Sequence, residues 1–153
     1  MQQNKQVGLQ TDGSIAAVYG LSRETRVVRP LFSCGVTAGF PSPAEDYIDR
    51  HLDLNELLIK NPAATFFVRV AGDSMTGAGI NHDDILIVDR SLEPVSGKIV
   101  IAVINGELTV KKLLIDDQSC RLVAENPDYG PLEISPETGC EIWGVATSVI
   151  HQL

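Results

Sequence analysis

The sequence predicts a mainly β protein, twisted and partly closed, with one short helix and a mobile N-terminal arm. Two observations predict the sheet. From Ala64 onward, apolar runs of four to eight residues alternate with turn residues, which is how strands read. Asn105-Gly106 stands between two such runs, and this dipeptide favours the primed turn of a tight hairpin. A third observation sets the core. Hydrophobic residues make up 44 % of the chain but aromatic residues only 5 %, so the interior is built from Val, Ile, Leu and Ala.

Taken in order, residues 1–13 are rich in Gln, Asn and Gly, with little to bury, and are expected to be mobile. Residues 14–28 carry scattered apolar side chains (Ile15, Val18, Tyr19, Leu21, Val27, Val28) without a sustained helical or strand period. They read as an arm that docks on the body but cannot fold alone. Residues 30–40 lead into Pro41 and Pro43, which hold the chain extended. Residues 47–59 have short helical character. Asp53 or Asn55 can cap the turn of Glu56, Leu57, Leu58 and Ile59, and Asn61-Pro62 stops it. Strands are expected at 65–71, 85–89, 98–104, 108–115, 120–124, 132–134 and 141–150. Phe66 and Trp143 serve as core anchors.

A chain of 153 residues is one domain with a short appendage, divided here into an arm, 1–38, and a body, 39–153. No apolar run approaches the roughly 20 residues of a membrane span. No basic start precedes an apolar stretch, so no signal peptide is expected. Cys34, Cys120 and Cys140 cannot complete a disulfide framework, and neither they nor His51, His82 and His151 have metal-ligand spacing. The chain reads as cytoplasmic, without metal or cofactor.

The charge is unevenly divided. Residues 1–38 hold four basic and two acidic side chains, and the remainder holds 8 basic and 18 acidic, for a net charge of −8. An acidic body repels phosphate backbones, which argues against direct sequence-specific DNA binding. The arm is also shorter than the ~50–60 residues a helix-turn-helix module needs.

Two stretches carry chemistry. Val70-Ala71-Gly72-Asp73-Ser74-Met75 ends an apolar strand with a glycine corner, which lifts the Ser74 hydroxyl off the ladder. Leu108-Thr109-Val110-Lys111-Lys112-Leu113 places two lysines in a strand-like run. A neutral lysine can take the proton of a serine hydroxyl, the Ser-Lys form of nucleophilic catalysis. An ordinary lysine, with a pKa near ~10.4, is protonated at neutral pH, so burial must lower it toward roughly 7–8. Lys111 and Lys112 point to opposite faces, and periodicity does not choose between them. Backbone N–H groups of Ser74 and Met75 are the natural donors to a developing oxyanion. Asp73 is a candidate third member, but aspartate also suits turns, and the turn reading is the preferred one.

Phe40-Pro41-Ser42-Pro43-Ala44, Asp53-Leu54-Asn55-Glu56-Leu57-Leu58-Ile59, Gly72-Asp73-Ser74-Met75 and Gly106-Glu107-Leu108-Thr109-Val110-Lys111-Lys112-Leu113 together resemble the UmuD branch of the LexA-type self-cleaving proteins. The likeness runs from about residue 31 to 150, in family order. It implies a fold like the LexA C-terminal domain, with Ser74 as nucleophile and Lys111, 37 positions later, as base. It also implies a scissile Ala-Gly or Cys-Gly bond in the arm. Ala38-Gly39 fits better than Cys34-Gly35, because Phe40-Pro41-Ser42-Pro43 follows it directly. One departure is Asp83-Asp84, where the family usually has glycine-aspartate, which puts the local turn geometry in question.

The resemblance further implies an SOS-response protein, homodimeric, that cleaves itself on stimulation by the RecA filament on single-stranded DNA. The cleaved form then supports error-prone translesion synthesis with a polymerase subunit. Two alternatives are a non-catalytic interaction subunit and an SOS transcriptional regulator acting through protein partners. A signal peptidase, which shares Ser-Lys chemistry, is disfavoured by the lack of a membrane anchor.

Overall fold

The computed structural model describes residues 10–21, 28–32 and 48–153. Among them are ten strands: β1 (Ile15–Gly20), β2 (Val28–Phe32), β3 (Ile48–Asp53), β4 (Thr65–Val70), β5 (Ile85–Asp89), β6 (Ile99–Ile104), β7 (Glu107–Ile115), β8 (Cys120–Val123), β9 (Leu132–Glu133) and β10 (Cys140–Ile150). One short helix, α1 (Leu54–Leu58), follows β3. The mainly β class and the seven strands expected after Ala64 are found, with ends displaced by one residue at most. Asn105 and Gly106 both take positive φ, 50° and 82°, as a primed hairpin turn requires.

The chain falls into two units, residues 1–21 with 61–153, and residues 22–60. The larger unit holds an antiparallel sheet of eight strands in the order β1-β4-β5-β10-β6-β7-β8-β9. Both faces of its central strands are covered, so β6 reads as an unbroken apolar run, Ile99-Val100-Ile101-Ala102-Val103-Ile104. Alternate residues feed two clusters. Ile101 joins Val68, Val70, Met75, Leu86, Val88, Leu108 and Val110. Val100 and Ala102 join Leu113, Leu122 and Val145 on the other side. Register shifts in β10, between Ile142 and Gly144 and between Ala146 and Ser148, add twist where the sheet curls. Phe66 and Trp143 pack at the margin of the first cluster, and the Arg90 guanidinium lies 5.9 Å from the Trp143 ring centroid.

The smaller unit pairs β2 with β3, and α1 follows. The helix expected over 47–59 is therefore only its second half. Residues 48–53 pair with β2 instead, and Asp53 ends the strand by accepting from the Asn55 N–H at 2.8 Å, capping α1.

The arm is the larger correction. Residues 1–9 lie outside the described residues, but 10–13, expected to be mobile, are held. Thr11 bridges Leu108 in parallel, with Asp12 N–H donating to the Leu108 carbonyl and Leu108 N–H to that of Gln10. Residues 15–20 form a strand on the edge of β4, with a register shift between Ile15 and Ala17, and Ile15 is buried in the core. The period was too weak to read because the hydrogen bonds of β1 come from a strand some fifty residues away.

Candidate active site

At the end of β4 the backbone turns sharply. Val70 still pairs across the turn, its N–H donating to the Asp84 carbonyl and its carbonyl accepting from the Asp83 N–H. Gly72 then adopts φ +74°, a conformation that L side chains rarely take, and its N–H donates to His82 Nδ1 at 3.1 Å. Asp83 occupies the left-handed region as well, at φ 68°. The position where glycine is usual thus keeps a glycine-like conformation, which aspartate tolerates better than most residues.

Asp84 anchors that turn from inside. It is 2 % exposed, accepts from the Asn81 N–H at 2.7 Å, and lies 2.6 Å from His151 Nδ1. Burial pushes its carboxyl up, but the Asn81 N–H and His151 outweigh that effect and hold it below the usual carboxylate range.

The Gly72-Asp73-Ser74-Met75 turn is fastened on three further sides. Met75 is buried in the first cluster. The Asp73 carbonyl accepts from Thr76 and from Asn126 Nδ2, and its carboxylate accepts from the Tyr129 hydroxyl at 2.7 Å. Gly77 N–H donates to the Glu125 carbonyl at 2.7 Å. Asp73 therefore ties the turn to the 125–129 loop, in keeping with the turn reading. Ser74 itself is 7 % exposed. Among the described residues, neither its hydroxyl nor the N–H of Ser74 or Met75 forms a hydrogen bond.

Lys111 and Lys112 on β7 part company as adjacent strand residues must. Lys112 Nζ pairs with Glu125 at 2.8 Å. The Lys111 side chain is 14 % exposed, and its Nζ makes three contacts: Asp12 Oδ2 at 3.2 Å, Thr109 Oγ1 at 2.9 Å and the Val110 carbonyl at 3.1 Å.

Residues 12–14 lie between the two stretches and bond to both. The Ser14 carbonyl accepts from the Ala71 N–H at 2.9 Å, beside the serine turn. The Ser14 hydroxyl accepts from the Val110 N–H at 3.0 Å and donates to Asp12 Oδ1. Thr109 Oγ1 donates to Asp12 Oδ2 at 2.6 Å. Partial burial pushes the Asp12 carboxyl up, but the Ser14 and Thr109 hydroxyls, the Ser14 N–H and Lys111 together hold it below its ordinary value. Although residues 1–38 carry a net positive charge and the remainder a net negative one, the ion pair observed here has the opposite polarity, an arm carboxylate on a body lysine.

The serine turn, through Ala71, and Lys111 thus both bond to the 12–14 segment, but no hydrogen bond joins Ser74 to Lys111 among the described residues. Ala38 and Gly39, like Cys34 and Gly35, lie outside the described residues, in the connection between β2 and β3. Asp12, Ser14 and Thr109 were missed as site residues, since nothing in Asp12-Gly13-Ser14 marks a partner 99 positions away. No group of three or more residues able to hold a metal ion occurs among the described residues. Among them, no helix is long and apolar enough to cross a membrane.

A family model described as Peptidase S24-like matches residues 30–147. Protein ImpA of Salmonella typhimurium is 48 % identical over 132 residues, covering 86 % of this chain and 89 % of that protein. Protein MucA of Escherichia coli is 44 % identical over 119 residues, covering 77 % and 81 %. The LexA repressor of Photorhabdus laumondii is 37 % identical over 145 residues, covering 91 % and 71 %.

Proposed function

Since the chain belongs to the Peptidase S24-like family, in the UmuD branch of the LexA-type proteins, we propose that it cuts its own backbone at Ala38-Gly39 with a Ser74–Lys111 dyad. Stimulation comes from the RecA filament on single-stranded DNA. The trimmed body, as a homodimer, then supports error-prone translesion synthesis with a polymerase subunit. The observation that carries this reading is the pair of stretches flanking residues 12–14, a serine on a rigid glycine turn and a lysine on the shielded side of β7.

In the reaction, Ser74 Oγ attacks the Ala38 carbonyl carbon while neutral Lys111 takes the hydroxyl proton. The N–H groups of Ser74 and Met75 receive the oxyanion, a contribution of about 3–4 kcal/mol per donor in comparable sites. The lysine returns its proton to the Gly39 nitrogen as the bond breaks, and water then releases the acyl group from Ser74. The substrate shares the chain, so no separate binding step is needed. Gly72, Asp73 and Met75 hold the nucleophile in place through the contacts described above.

The test is Ser74→Ala. Loss of the hydroxyl leaves no void of consequence, so the variant stays folded and releases no fragment. A folded Ser74→Ala protein that still cleaves at the wild-type rate removes the mechanism.

A further inference from the structure

We infer that Asp12 is an inhibitory latch on Lys111, holding the base in a resting arrangement until residues 10–14 are lifted away. This rests on the dyad reading above and goes beyond it in assigning a regulatory role to the arm. An ammonium has three hydrogens and no acceptor. The Lys111 ammonium finds three acceptors, Asp12 Oδ2, Thr109 Oγ1 and the Val110 carbonyl. Ser74 is not among them. To act, Lys111 must shed a proton and turn its lone pair toward the Ser74 hydroxyl, and an adjacent carboxylate opposes that step because it favours the charged lysine.

The latch is built into the backbone as well. Two main-chain bonds, from Asp12 N–H to the Leu108 carbonyl and from Leu108 N–H to the Gln10 carbonyl, seat the segment against β7 just before Thr109. Ser14 fixes the Asp12 carboxylate from the other side through its N–H and hydroxyl. Asp12 therefore cannot swing off Lys111 alone; the whole stretch has to move. The other charged and titratable groups brought near are Tyr129, which feels Asp73, Asp128 and Asp12, and Lys112, which is occupied by Glu125. Asp12 alone among them bonds to Lys111.

The experiment follows unstimulated self-cleavage of the full chain against pH for the wild type, Asp12→Asn, Asp12→Glu and Lys111→Ala, with folding checked by thermal unfolding. Asp12→Asn is expected to move the rising limb about one pH unit lower, roughly tenfold faster at neutral pH. The two curves should converge at the alkaline end of the profile, where a carboxylate at position 12 no longer opposes the proton transfer. Asp12→Glu restores the charge and should return the profile toward the wild type. Coincident curves for Asp12→Asn and the wild type overturn the latch, and so does a change of equal factor at every pH. If Lys111→Ala cleaves normally, the dyad reading falls and takes the latch with it; if Lys111→Ala is inert while the curves coincide, only the latch falls. Should Asp12→Asn unfold, Asp12→Ser, uncharged but still an acceptor, repeats the comparison.

Discussion

Gly77→Ala tests how the serine turn is held. A Cβ at this position would meet the Glu125 carbonyl oxygen at 2.5 Å, with the carbonyl carbon at 3.2 Å. Both are backbone atoms, so no side chain can swing aside. A tolerable contact needs a shift on the order of 0.7 Å, either of the turn or of the 125–129 loop. Overpacking of this kind costs ~1–3 kcal/mol. The bond from Gly77 N–H to Glu125 is strained in the same movement, which adds about 1 kcal/mol. A loss of ~2–4 kcal/mol is expected, read as a lower urea midpoint at unchanged slope. Gly77 stands three residues after Ser74, so the displacement also reaches the proposed nucleophile. Misplacement approaching 1 Å lowers rates by as much as ~100-fold, and self-cleavage should fall by at least tenfold under conditions where the variant is fully folded. A variant within 0.5 kcal/mol of the wild type that cleaves at full rate would show that this contact does not set the turn's position.

Lys111→Ala should stop self-cleavage, whereas Lys112→Ala should slow it only modestly, because Lys112 serves an ion pair with Glu125 on the other face; an essential Lys112 beside a dispensable Lys111 would place the base one residue later. Asp84→Ala removes a buried carboxylate that satisfies Asn81 and His151, at a cost of about 3 kcal/mol by urea titration near neutral pH. Because the folded Asp84 carboxyl is held below its unfolded value, its contribution is complete above pH ~4 and is lost as pH falls through the folded value. The wild-type advantage should therefore shrink in acid, and an advantage that grows there contradicts the assignment. Release of residues 1–38 would remove β1 from β4 and withdraw buried Ile15 from the core, so binding of a hydrophobic dye should rise after cleavage; an unchanged signal counts against exposure of a docking surface.

The strands of the body were legible because each carries its own pattern. Between Phe66 and Ile150 the runs are apolar and β-branched, and the turns between them contain glycine, aspartate or asparagine in places that demand positive φ. The arm lacks such autonomy. Ile15, Ala16, Ala17, Val18 and Tyr19 form a strand because β4 offers an open edge, information that sits elsewhere in the chain. Residues 48–53 misread as helix for a related reason: Ile48, Asp49, Arg50, His51 and Leu52 have no strong preference, and β2 decides the matter. The cap was legible as Asp53 or Asn55 because capping is local, and the structure gives it to Asp53. The site divides along the same line. Gly72 and Ser74 announce a corner by their own chemistry, whereas Asp12 gains its role only when folding brings it to Lys111.

In the proposed function this chain cuts itself once, between Ala38 and Gly39, with a lysine-activated serine. Intact mass and N-terminal sequencing after incubation across pH 7–10, with and without activated RecA, test it most directly. Two fragments are expected, 1–38 and 39–153, the larger beginning at Gly39, formed faster as pH rises and faster again with RecA. An intact chain under all these conditions, or a large fragment that begins at Gly35, would contradict it.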